Sequence, residues 1–401
     1  MTILHDKRIV LGVTGGIAAY KAVDLASKLV QSGARVDVVM TAAATQFVTP
    51  LTFEAITKRR VHTGVFEGWS EAEKGHISLA EEADVLVVAP ATANSIARLT
   101  LGLADDMLTV THLAATPRGT PVVVAPAMEH HMYCHPATQQ HLETLRSRGA
   151  LVVEPEHGRL ASGAVGVGRL ASVERVLAAI ERALGRGGPL WRKRVVVTAG
   201  ATREAIDPIR ILTNRSTGRM GYAIARAALQ AGADVTLIST PTTLPPVHGV
   251  TTVPVESALD LLAAVREHAA GADVLVMAAA VADYRPTQVA ADKIKKSDDD
   301  MAIQLTRNPD ILSTIATPGT VRVGFAAETS EHERHARGKL ERKNLDLIVL
   351  NDARAAMGAE TNAVTLFFRD GRVEALGEAG KLEIAEQIVQ RIAGLLPAEA
   401  R

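Results

Sequence analysis

The sequence predicts an α/β protein in which two domains, each built on a parallel sheet, are joined end to end. Residues Arg8–Val13 read as a buried strand, RIVLGV, followed by Thr14-Gly15-Gly16 and the helical run IAAYKAVDLASKLVQ. The opening repeats at Arg194–Ala199 as RVVVTA, with a helix expected over 218–230. A longer match follows: ADVLVVAPATAN at 83–94 aligns without a gap with ADVLVMAAAVAD at 272–283. Each is an apolar strand running into an alanine-rich C-terminal end, the end at which parallel sheets hold ligands.

Gly33 ends the first helix and ARVDVVM supplies the next strand, giving a βαβ unit. Gly232 and ADVTLIS play the same parts in the second half. Glycines and a proline at 184–192 break the helix VERVLAAIERAL, which sets domains at 1–190 and 191–401. The charged stretch 286–300, containing KIKKSDDD, reads as a mobile loop.

At roughly 100–200 residues per domain, 401 residues bound two or three domains. Hydrophobic residues make up 47%, enough for large cores. Lys+Arg and Asp+Glu are 44 each, so no net charge recommends a nucleic-acid partner, and any phosphate must be held by local groups. The single cysteine, Cys134, excludes an internal disulfide and points to a reducing compartment. No signal sequence opens the chain, and no apolar run reaches about 18 residues. The expectation is a cytoplasmic protein without a membrane partner.

A helix N-terminus after a glycine turn can hold a phosphate. GVTGGI is not GxGxxG, however, and the turn alone says little. The first half continues with TAAATQFV, GHISLAEEADVLVVAPATANSIARLTLGLADD, VVVAPAMEHHMYCHPATQ and GRLASGAVGVGRL. In this order, over about 6–182, these motifs resemble the flavin-dependent cysteine decarboxylases, specifically phosphopantothenoylcysteine decarboxylase. The resemblance implies a flavodoxin-like domain with FMN across the strand ends. Gly15, Gly16 and Ile17 would hold its phosphate, with Thr41 and Phe47 from the next loop. Thr92 and Ala93 would approach the flavin from APATAN.

His76 matches the catalytic histidine of that family, and a pKa of ~6.5 suits proton transfer near neutrality. The implied reaction oxidises the cysteinyl thiol, loses CO2 from the thioaldehyde and returns the electrons to the ene-thiol. Two positions depart from the pattern. Glu129 stands where an asparagine usually contacts the substrate carboxylate, and Tyr133 stands for a tryptophan. An ionised Glu129 repels a carboxylate unless it is protonated, acts through its backbone or points away. Ser162 stands where the family has a cysteine acid. An alcohol is a far weaker acid than a thiol of pKa ~8.5. Ser162 is therefore expected to close over the substrate without being the sole acid. His130, His131 and Cys134 match no common zinc spacing, and HPATQ reads as a helix start.

The second half carries GATREAIDPIRILTNRSTGRMGYAIA, AAAVADYRP, DKIKK, NPDIL, GFAAET and KLERKNLDLIVLND. Over about 192–392 these resemble phosphopantothenate–cysteine ligase of the CTP-using type. Both activities in this order resemble the bifunctional proteins of coenzyme A biosynthesis, with two Rossmann-like domains. The substrates implied are 4′-phosphopantothenate, cysteine and CTP, with Mg2+ accompanying CTP and no acidic cluster fixing its ligands. A carboxylate must be activated before an amine attacks it, and repulsion between anions calls for lysines and backbone donors.

Lys293 matches the lysine tied to nucleotide use. Lys339 and Lys343, four apart, share a helix face and repel unless an anion lies between them. Asp283 would bind the cytosine or ribose, and Met277, Ala278 and Ala279 would line the base pocket. Pro309, Asp310, Ile311 and Leu312 form the NPDIL loop, with Phe325 as an apolar wall. Asn214 matches the asparagine that acts on the acyl-cytidylate, although an asparagine before a helix is often a cap. The same resemblance implies decarboxylase trimers linked through ligase dimers, a dodecamer with flavin sites between subunits. The competing reading is an active ligase fused to a flavin-binding scaffold.

Overall fold

The computed structural model describes residues 3–66, 75–296, 300–328, 332–352 and 361–397. Residues 297–299 of the charged run and residue 329 of GFAAET lie outside this set. The chain divides into two units, Met1–Arg186 and Gly187–Arg401.

In the first unit the sheet strands are β1 (Arg8–Val13), β2 (Arg35–Met40), β3 (Val85–Ala91), β4 (Val122–Pro126) and β5 (Leu151–Val152). They are all parallel, in the order β2-β1-β3-β4-β5. Continuous apolar runs form these strands because helices cover both faces. Ile9, Val10 and Leu11 are all fully buried. The helix Lys21–Gln31 buries Ala22, Leu25, Ala26 and Leu29, a stripe at helical spacing. A two-stranded antiparallel hairpin follows, β6 (Glu156–Arg159) and β7 (Val165–Arg169).

The second unit contains β8 (Arg194–Ala199), β9 (Arg203–Ala205), β10 (Ile211–Thr213), β11 (Asp234–Ser239), β12 (Thr251–Pro254) and β13 (Val274–Met277). Further on come β14 (Tyr284–Pro286), β15 (Leu305–Arg307), β16 (Val321–Glu328), β17 (Leu347–Asp352), β18 (Thr361–Phe368) and β19 (Val373–Gly380). The main sheet runs β12-β11-β8-β13-β16-β17-β18-β19. Its strands from β12 to β17 are parallel, and β18 and β19 are antiparallel. The parallel sheet expected here is present from β12 to β17 and is extended at one edge by an antiparallel hairpin.

The parallel parts follow the two common doubly wound orders, flavodoxin-like in the first unit and Rossmann-like in the second. In each the order reverses beside the opening strand, between β1 and β3 and between β8 and β13. The two matched segments therefore form the second wall of each switch-point crevice. Their starts are fixed by the same device. Asp84 accepts from the Arg8 amide at 2.8 Å and returns its own N–H to the Arg8 carbonyl at 2.9 Å. Asp273 does this to Arg194 at 2.7 and 2.9 Å. Asp346, before β17, does it again to Arg322 of β16 at 2.8 and 2.9 Å. This third occurrence, the second within one sheet, marks the device as a property of parallel strand starts.

The helix Arg219–Gln230 lies directly on β8. A Cβ at Gly221 would stand 2.6 Å from Ala199 Cβ and 2.8 Å from the Thr198 carbonyl oxygen. Gly221→Ala must lift the helix from the sheet. It is expected to destabilise the second unit by about 1–3 kcal/mol, as overpacking does. Thermal denaturation of variant and wild type checks this; an unchanged midpoint would refute it.

Candidate functional sites

The first crevice opens into a cavity of about 590 Å³. Its floor is made by the ends of β1 and β3, braced by Thr14. The buried Thr14 hydroxyl donates to the Pro90 carbonyl at 2.8 Å and accepts from the Thr92 amide at 3.0 Å. Gly15, Gly16, Ile17, Thr92 and Ala93 all line the cavity, as do Glu129 and Ser162. Thr41, Phe47 and His76 do not. Thr41 ties the loop after β2 to Val13, donating its N–H at 3.1 Å. Phe47 is half exposed. His76 is half-buried at the start of the helix His76–Glu82.

This cavity suits a flavin phosphate. Among the described residues, the amides of Gly15, Gly16 and Ile17 donate to no protein acceptor. A Cβ at Gly15 would meet Ala43 Cβ at 2.3 Å, so this glycine lets the two loops touch. A Cβ at Gly16 would meet only Thr92 Cγ2, at 3.6 Å, and otherwise occupies the cradle. Gly16→Ala is therefore expected to fold normally and lose most of its flavin. Visible absorbance of the purified protein is the measurement, and a full complement of flavin would overturn the expectation.

The Glu129 carboxylate lines the cavity and is engaged by its own helix. It caps the helix His130–Cys134, accepting from the His131 amide at 2.7 Å and from His131 Nδ1 at 3.0 Å. Desolvation raises its pKa, but the His131 contacts and the Met132 amide outweigh this, and the net shift is downward. The protonated alternative is thus disfavoured. Tyr133 is buried and donates to Glu154 at 2.5 Å. Burial, then Glu154, pushes its pKa up to about 12. Ser162 sits in the turn between β6 and β7, exposed toward the cavity. His130 Nδ1 lies 3.2 Å from the Val167 amide and so holds this hairpin. His135 caps the helix Pro136–Ser147, as HPATQ suggested. Among the described residues no group of three His, Cys, Asp or Glu side chains could hold a metal.

The second crevice is braced in the same way. Thr198 accepts from the Ala279 amide at 3.1 Å, and Thr202 from the Ala282 amide at 2.9 Å. Asn214 is not a helix cap; that position belongs to Gly218. Its Nδ2 donates to the carbonyls of Ala280 and Val281 at 3.4 and 3.2 Å. Asn214 thus stands against the loop that follows Met277, Ala278 and Ala279. Asn308 links the NPDIL loop to that same region. Its N–H donates to the Asp283 carbonyl at 2.8 Å, and its Nδ2 to Ala282 at 2.8 Å. Ile311 and Leu312 are buried beneath, and Phe325 is half-buried in β16.

The lysines have local partners and surroundings. The anion beside Lys343 is the protein's own Asp310, at 3.0 Å. Burial raises the Asp310 pKa, but Lys343 and Ser313 bring it below the ordinary value. Lys339 is half-buried in the helix His332–Arg342. Lys293 is exposed, in a loop tied to the rest of the unit beside it at Ile294. Asp207, a residue the sequence did not single out, accepts from the amides of Ile209, Arg210 and Ile294 at 2.8, 2.7 and 3.2 Å. Arg210 Nη1 bonds Asp207 at 2.7 Å and the Ile294 carbonyl at 3.1 Å. At its ends the loop is closed by Thr287 donating to Gln304 at 2.9 Å.

Fold and crevices define a flavoprotein unit fused to a second, Rossmann-like unit with a nucleotide-type switch point. Known families divide the chain in the same way: residues 2–185 match the family described as Flavoprotein, and 190–396 match the DNA/pantothenate metabolism flavoprotein C-terminal domain. The chain belongs to the family of coenzyme A biosynthesis bifunctional proteins. It is 47% identical over 400 residues to the Coenzyme A biosynthesis bifunctional protein CoaBC of Bacillus subtilis, covering 98% of each chain. The protein of the same name from Vibrio cholerae is 46% identical, over 93% of this chain and 94% of that one. That from Mycolicibacterium smegmatis is 44% identical, over 98% and 99%.

Proposed function

We propose that this chain catalyses two consecutive steps of coenzyme A biosynthesis. The second unit joins 4′-phosphopantothenate to cysteine using CTP, and the first unit decarboxylates the product to 4′-phosphopantetheine. The observation that carries this reading is the alignment of both units, over 98% of each chain, with a bifunctional relative.

In the second unit the substrate carboxylate attacks the α-phosphate of CTP and pyrophosphate leaves. The cysteine amine then displaces CMP from the acyl-cytidylate. Lys293, in the loop held by Asp207, neutralises phosphate charge as it develops. Asn214, fixed through Nδ2, presents Oδ1 to the second step. Asp283 and the NPDIL loop hold the nucleoside. Mg2+ enters on the CTP phosphates.

In the first unit the bound FMN supplies two-electron oxidation and reduction. The Gly15, Gly16 and Ile17 amides would hold its phosphate, and Thr92 and Ala93 would contact the flavin. His76 moves the proton. It does not line the cavity of its own chain among the described residues, which supports a site completed by a second copy. Ser162 shields the substrate from the hairpin turn. We place the enzyme in the cytoplasm; among the described residues no helix is long and apolar enough to cross a membrane.

Purified protein given 4′-phosphopantothenate, cysteine, CTP and Mg2+ is expected to form CMP and CO2 together. CMP without CO2, with flavin bound, would leave the first unit a scaffold, the reading that the departures at Glu129 and Ser162 keep open and His76 argues against. Neither product would sink the assignment. Ser162→Ala is expected to slow reduction of the ene-thiol by less than about tenfold, the scale of one modest hydrogen bond. Abolished reduction with CO2 release intact would make Ser162 the acid after all.

A further inference from the structure

Three cations line the first cavity: Lys21, Arg159 and Arg169. Lys21 opens the helix Lys21–Gln31, one turn beyond the glycine cradle. Arg159 ends β6 and Arg169 ends β7, so both belong to the hairpin that carries Ser162. Among the described residues none of the three has a carboxylate within 4.0 Å. The carboxylates nearby are engaged elsewhere. Glu129 is bound to His131, and Glu156 accepts from the Ser172 amide at 2.8 Å with Arg175 at 3.9 Å. Burial, then the charge of Arg169, lowers the Lys21 pKa against an opposing pull from Glu156. Like charges gathered on one cavity are unfavourable until a dianion arrives.

A phosphate monoester carries a charge of about −1.5 to −2 at pH 7 and three strong acceptor oxygens. Both the cofactor and the substrate bring one. The cofactor's phosphate already has three free amides in the glycine turn. Two of the three cations stand on the hairpin, whose turn residues Leu160, Ala161 and Ser162 also line the cavity. Resting on the decarboxylase reading above, we propose that Lys21, Arg159 and Arg169 form the seat for the phosphate of the decarboxylase substrate. The seat selects phosphorylated over dephosphorylated substrate through charge-assisted hydrogen bonds.

The test uses the full-length holoenzyme and its Lys21→Met, Arg159→Met and Arg169→Met variants. CO2 release is measured with 4′-phosphopantothenoylcysteine and with pantothenoylcysteine, alongside flavin content. The wild type is expected to prefer the phosphorylated compound. In each variant the ratio of the two kcat/KM values is expected to shrink roughly 10- to 100-fold, through KM, the scale of one lost charged hydrogen bond. Flavin content stays stoichiometric, and Lys21→Arg restores part of the ratio. An unchanged ratio overturns the proposal. So does loss of flavin with the ratio preserved in whatever activity remains, which would give the cations to the cofactor. A wild type inert toward both compounds fails the decarboxylase assignment itself and takes the proposal with it.

Discussion

Asp207→Ala is expected to slow CTP-dependent condensation roughly 100-fold, the effect of misplacing a reacting group by about an ångström. The flavin of the first unit should remain bound. The buried carboxylate gathers four hydrogen bonds from two stretches of chain, the 207–210 turn and Ile294. Desolvation raises its pKa, but the Ile209, Arg210 and Ile294 amides and the Arg210 guanidinium together bring it below the ordinary carboxylate value. It is therefore ionised at neutral pH, and alanine strands its donors without an acceptor. Lys293 is the residue before the clasped Ile294. Under the proposed function, releasing the clasp would free the lysine from the position in which it meets the triphosphate. Asp207→Asn separates this from simple misfolding. Its Oδ1 can still accept from Ile209 and Arg210, while Nδ2 cannot accept from Ile294, so a smaller loss concentrated in kcat is expected. Steady-state CMP formation by a well-folded Asp207→Ala at the wild-type rate would refute the clasp.

The first unit is expected to lose on the order of 3 kcal/mol of stability between about pH 6.5 and pH 4 through one buried histidine. His112 lies 8% exposed in the helix Met107–Ala115. Burial first, then the charge of Arg148, lowers its pKa to about 4. The unfolded chain binds the proton near the ordinary value; the folded chain refuses it until about pH 4. The stabilisation is thus whole above the unfolded pKa and is lost as pH falls toward the folded one. His112→Gln removes this titration. Flavin-release melts at pH 7 and pH 4.5 should converge in the variant relative to wild type. An equal acid shift in both proteins would assign the lability elsewhere.

The strands and crevices were legible because parallel strands write themselves as unbroken apolar runs. The matched segments at 83–94 and 272–283 were readable as comparable strand ends, and both border a switch point. The strand orders were not legible, since periodicity says nothing of which neighbour a strand takes. Nor was the antiparallel addition of β18 and β19, which leaves β19 at the sheet edge. Asp207 escaped notice because its partner Ile294 is 87 positions away, and nothing local in IDPIR marks a clasp. The pairing of Lys343 with Asp310 was not legible because the two come from different loops, 33 positions apart. The cationic seat did leave a trace: Lys21 closes the AAYK that follows the cradle, and Arg159 and Arg169 bracket the glycine-rich stretch.

The aspartates that open β3, β13 and β17 separate two jobs along one strand. Each fixes alignment with its neighbour at the N-terminal end, within a single residue pair. The C-terminal end then carries no responsibility for register and is free to diverge. APATAN and AAAVAD could become a seat for a resident cofactor and a seat for a consumed nucleotide without either sheet slipping. An exchange of those loops between the two units should therefore alter which molecule is held and leave the alignment of the strands intact.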